Sequence, residues 1–226
     1  MMVATMAAVR ALAISLLAVL WLDCAAEPFA ARVGDMRVVL DTPPGFADTL
    51  DLGSPRLQEL AESLTSASNR ILLFALTDAD LRLFSRGDAP ALHRYLLLAT
   101  PRALERDSVG LSQFRDYAVE SARSLGEAAQ PQDIRAFLSA QALGRANVLR
   151  VLRSEPLAVS RLMGTRLPPR YGDTPEYLLY TTTQLLLRGK VLSVSAYTGL
   201  RDAADTAWLL DITQRWTSEL QRLNAR

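Results

Sequence analysis

The C-terminal stretch constrains this chain most. Residues 176–187 and 190–197 are two largely apolar runs separated only by Arg188-Gly189. A two-residue break containing glycine between such runs is the signature of a β-hairpin. Residues 202–223 then read as a helix carrying Trp208, Leu209, Ile212, Trp216, Leu220 and Leu223 on one stripe. That stripe is wide enough to cover one face of a sheet. A hairpin next to a helix of this length indicates an α+β fold, a mostly antiparallel sheet flanked by helices.

Upstream, strands and helices alternate. Residues 36–40 are a short β-branched run that stops at Pro43-Pro44-Gly45, a turn signal. Ser54-Pro55 pairs an N-cap residue with proline at the first helical position, and Leu57, Leu60, Ala61 and Leu64 follow at helical spacing. Residues 70–76 read as a buried strand, 77–87 as a short helix closed by glycine, and 94–100 as a second apolar strand ended by Pro101. Residues 111–125 form a helix with Leu111, Phe114, Ala118, Ala122 and Leu125 on one side. The spacing of Ile134, Phe137, Leu138, Val148, Leu149 and Leu152 predicts another helix over 132–152, kinked near Gly144-Arg145. Pro156, Pro168, Pro169 and Pro175 make 153–175 mostly loop, with a short strand near 157–162. Residues 126–170 are thus expected to be a helical and loop insertion.

The start of the chain reads as a secretory signal. Arg10 precedes an uncharged, almost wholly apolar run over 11–22, roughly the 7–15 residues of a signal core and short of the ~20 that span a bilayer. Asp23-Cys24-Ala25-Ala26 then places Cys24 and Ala26 where signal peptidase needs small residues, for a cut before Glu27. An uncleaved anchor, or a lipoprotein lipidated at Cys24, are the alternatives; Arg10 inside the span and Asp23 before the cysteine weigh against them. The expectation is a signal peptide over 1–26, one domain over 27–226, and no transmembrane span after cleavage.

Export without Cys24, the only cysteine, leaves no disulfide, thiol nucleophile or thiolate metal site, which suits a bacterial periplasm. With 50% hydrophobic residues and 22% charged, the chain has enough apolar material for a core. A net charge of +1 gives no electrostatic case for nucleic-acid binding. Lys190 is the only lysine among 25 basic residues, an arginine bias that points to a GC-rich genome.

Pro43-Pro44-Gly45-Phe46 after a first strand, the run Leu192-Ser193-Val194-Ser195-Ala196-Tyr197, and the closing helix through Trp216 together resemble the PsbP/DcrB-like superfamily. The resemblance covers roughly residues 34–224 by order of elements. It implies an α/β/α sandwich and an accessory or binding role, and it brings no functional residue with it.

The motifs of catalysis are missing: no G-x-S-x-G, H-E-x-x-H, Walker loop or G-x-G-x-x-G occurs. His93 is the only histidine, so any triad or zinc site must use it, with Asp78-x-Asp80 upstream as carboxylates that could complete it. The plainer expectation is that Asp78 and Asp80 cap the short helix while His93 sits at a strand edge. Glu105 and Asp107, flanking Arg106, are a possible acid–base pair or simply solvated loop residues. Trp208 and Trp216 share a helical face and read as core. Nothing in the sequence calls for a cofactor.

One anomaly remains, in the distribution of charge. Arg135, Arg145, Arg150, Arg153, Arg161, Arg166 and Arg170 stand against Glu155 alone over 134–170, whereas Asp41, Asp48, Asp51, Glu59 and Glu62 stand against Arg56 over 41–64. On the expected helix, Arg135, Arg150 and Arg153 fall within about 60° of one another. With Arg166 and Arg170 in the loop beyond, Arg150 and Arg153 form the candidate binding surface, directed at an acidic protein or an anionic envelope component. Solvated surface is the alternative reading of the same residues. The function expected is that of an exported, periplasmic, non-catalytic accessory or binding protein. The alternative is a periplasmic hydrolase or metal-dependent enzyme using His93 with nearby carboxylates.

Overall fold

The computed structural model describes residues 27–169 and 176–225; the expected leader over 1–26 and Arg170 lie outside the described residues. A hairpin of β1 (Phe29–Val33) and β2 (Met36–Leu40) leads into β3 (Phe46–Asp48), α1 (Pro55–Ser63), β4 (Asn69–Thr77), α2 (Asp78–Ser85) and β5 (Arg94–Pro101). Then come α3 (Leu111–Leu125), α4 (Ile134–Ser139), β6 (Asn147–Glu155), β7 (Ala158–Leu167), β8 (Glu176–Leu187), β9 (Lys190–Gly199) and α5 (Ala203–Leu223). Strands β3 to β9 form one seven-stranded sheet in the order β3-β4-β5-β9-β8-β7-β6, with antiparallel neighbours throughout. The fold is α+β, as the C-terminal stretch predicts.

Alternation along the strands gives the sheet two apolar faces. On one, Leu179, Leu185, Leu187, Leu192, Val194 and Ala196 pack against Leu209, Ile212, Trp216 and Leu220 of α5. The β1–β2 hairpin shares that layer through Val33, Val38 and Leu40. It is tied to α5 by the Trp216 indole N–H, which donates to the Asp41 carbonyl at 2.8 Å, and by Asn224, which exchanges two hydrogen bonds with the Val39 backbone. On the other face, Leu57 and Ala61 of α1 cover Phe74, Leu76, Tyr95, Leu97 and Ala99, while Phe114 of α3 meets Leu186 and Val191. The result is three layers, helices on both sides of an antiparallel sheet.

The β8–β9 hairpin turns at Arg188-Gly189, as expected, with φ of 52° and 77°. Two consecutive positive φ values match the right-handed twist of the flanking strands, which is why such two-residue turns are favoured.

The 126–170 stretch departs from the expectation of a helical and loop insertion. Among the described residues only Ile134–Ser139 is helical; Asn147–Glu155 is the edge strand β6, and the expected short strand falls, from Ala158 on, within a ten-residue strand, β7. The stretch therefore completes the sheet. The cause of the helical pattern is local: the β6–β7 register shifts between Val148 and Arg150 and again between Val151 and Arg153. Each bulge inserts one residue, so the period of two breaks and apolar residues recur at 148, 149, 151 and 152, a spacing that imitates a helix.

Candidate functional site

Because β6 is a strand, Arg135, Arg150 and Arg153 do not share a helical face. Arg135 donates to the Leu200 and Arg201 carbonyls at 2.8 and 2.9 Å and lies over the Tyr177 ring. Arg150 is exposed on the edge strand, and Arg153 pairs with Glu155 two residues on. Arg166 donates to the Ser139 carbonyl at 2.8 Å, beside the C-terminus of α4, a favourable place for a cation. Of the candidate binding residues, the structure thus places Arg150 and Arg153 on β6 and Arg166 on β7.

The arginine that differs from the others is Arg161, in the middle of β7. It is only 6% exposed, and its register places it between Val151 of β6 and Thr182 of β8. Its guanidinium reaches toward α3, where Nη2 donates to the Ala118 carbonyl at 3.4 Å. Among the described residues no carboxylate forms an ion pair with it, and burial alone pushes its pKa below the ordinary arginine value. Arginine nonetheless stays protonated in proteins, so a full positive charge sits under α3.

Arg161 lies in a groove of about 890 Å³ between α3 and the β6–β7 hairpin. Phe114, Ala118, Val119 and Ala122 of α3 form one wall, and Val148, Val151 and Val159 form the other. Val119 and Val151 remain 44% and 52% exposed, large for aliphatic side chains that face each other across a cleft. Arg115, Arg123, Glu127 and Glu155 stand around it. The groove offers apolar walls and one largely buried cation.

His93 lies elsewhere, just ahead of β5, and it meets neither Asp78 nor Asp80. Asp80 is buried in the first turn of α2, where Thr77 caps the helix by accepting from the Asp80 N–H and Asp80 accepts from the Ala91 N–H at 2.7 Å. The carboxylate near His93 is instead Asp205, in the first turn of α5, with Nε2 and Oδ1 3.4 Å apart. Asp205 is 1% exposed and already accepts from the Arg94 side chain at 3.1 Å and the Arg201 backbone N–H at 3.0 Å. Burial opposes its charge, but these hydrogen bonds outweigh it and hold the carboxyl well below the usual carboxylate range. Burial, then the neighbouring Arg201, pushes the His93 imidazole below its ordinary value. The cluster locks the start of α5 onto β5. Among the described residues, no three histidine, cysteine or carboxylate side chains converge as a metal site. Glu105 pairs with Arg70 at 3.0 Å, and the Asp107 carbonyl accepts from Lys190.

No protein family, curated protein or solved structure matches the chain. The groove was not legible in the sequence because it is built from α3 and two strands distant in order. The one available signal was an arginine set inside the apolar run Ala158-Val159-Ser160-Arg161-Leu162-Met163.

Proposed function

We propose that this protein is an exported, non-catalytic accessory or binding protein, working in the periplasm and holding its ligand in the groove between α3 and the β6–β7 hairpin. The observation that carries the reading is Arg161, a residue only 6% exposed whose guanidinium makes a single long hydrogen bond and lines the groove. Burying a charge costs several kcal/mol unless it is paired, so a cation with no carboxylate partner among the described residues, beside an open apolar groove, is best explained by a partner from outside. The order of elements that resembles the PsbP/DcrB-like superfamily supports the same role. Among the described residues no helix is long and apolar enough to cross a membrane.

Native mass spectrometry of the full chain incubated with a soluble envelope extract tests the reading. An adduct of defined mass is expected on the parent and not on Arg161→Met, whose side chain fills similar space without charge. A parent that acquires no adduct, or an adduct retained in full by the folded variant, rejects it.

A further inference from the structure

We infer that the groove takes a small anionic amphiphile, a fatty-acid-like molecule whose carboxylate pairs with Arg161 and whose apolar body lies between α3 and β6. The inference rests on the proposed binding role and names the ligand's chemistry.

Three features fix that chemistry. The first is charge: a guanidinium without a carboxylate partner among the described residues calls for an anion, and its planar fork matches a carboxylate with two parallel hydrogen bonds. The second is depth. Arg161 is only 6% exposed, so the anionic group must enter on a thin carrier, as the head of a chain does and a folded acidic surface does not. The third is the apolar lining. Val119 and Val151 face the cleft at 44% and 52% exposure, and Ala122, Val148 and Val159 continue the surface. A volume of about 890 Å³ is large for a bare anion and falls within the roughly 300–1,000 Å³ of small-molecule sites.

Calorimetric titration of the full chain with dodecanoate, dodecanol and acetate, each below its aggregation concentration, tests the assignment. Dodecanoate is expected to bind at one per chain, dodecanol at least about tenfold more weakly, and acetate not detectably. Arg161→Met should bind dodecanoate and dodecanol alike. Val119→Asp, which changes only a half-exposed position on α3, should weaken dodecanoate and so serves if Arg161→Met does not fold. Equal affinity for the acid and the alcohol in the parent, or a preference that survives in folded Arg161→Met, overturns the inference. So does binding to phosphatidylglycerol vesicles without binding to free dodecanoate. An Arg161-dependent adduct from the envelope extract that proves to be another class of molecule would overturn the amphiphile and leave the binding role standing; no adduct and no titration would remove both.

Discussion

Lys190, the only lysine in the chain, is buried at the start of β9 with its ammonium 2.8 Å from the carboxylate of Asp35, which is itself exposed. The same ammonium donates to the Asp107 carbonyl at 2.9 Å and the Glu105 carbonyl at 3.3 Å. One side chain thus joins the β1–β2 turn to the loop after β5. The turn is built for the approach: Gly34 has φ of 58°, and a Cβ there would lie 2.4 Å from the Glu105 carbonyl oxygen. Lys190→Met is expected to lose about 1–3 kcal/mol, because two carbonyls lose their donor at a buried position. Denaturant unfolding measures this, and an unchanged midpoint would show that the bridge is not needed.

Trp216 combines a buried ring with the hydrogen bond to the Asp41 carbonyl, so it holds both the sheet and the β1–β2 hairpin against α5. Trp216→Ala should cost about 3–5 kcal/mol, the range for emptying a large aromatic site. A denaturation midpoint like that of the parent would reject this packing.

Acid should weaken the fold first through His93. Its folded-state pKa is lowered by burial, so as pH falls the unfolded chain takes up the proton first. The contribution is complete above about pH 6.5 and is lost as pH falls through the folded value. His93 is the only histidine, so His93→Gln should flatten the dependence of melting temperature on pH just below 6.5. Asp205, held low, has the same sign at lower pH: its contribution is complete above about 3.9 and is lost below. Asp48, raised by burial, runs the other way, so the Asp205 effect is read as the difference from Asp205→Asn. An equally steep slope below pH 6.5 in the His93 variant would contradict the assignment.

The proposed export predicts a mature N-terminus at or near Glu27. N-terminal sequencing of the protein from the envelope fraction checks it, and residues 1–26 found intact there would exclude cleavage.

The sequence by itself determined the elements whose signals are local: an apolar run bounded by a turn, or an apolar stripe at helical spacing. The β8–β9 hairpin, α3 and α5 are of this kind, since Arg188-Gly189 sets the turn and the Trp208-to-Leu223 stripe sets the buried side. Together they were enough for the α+β class. The tertiary structure alone decided β6, where two bulges rewrite the alternation as helical spacing and only pairing with β7 selects the strand. It also decided the candidate site. Whether a single arginine in an apolar run is solvated, paired or sequestered depends on what lies across from it. Arg161 is sequestered because α3, distant in sequence, crosses above it and offers one backbone carbonyl but no carboxylate. Periodicity is a property of neighbours along the chain, whereas burial and pairing of charge are set by neighbours in space, and for Arg161 the two sets barely overlap.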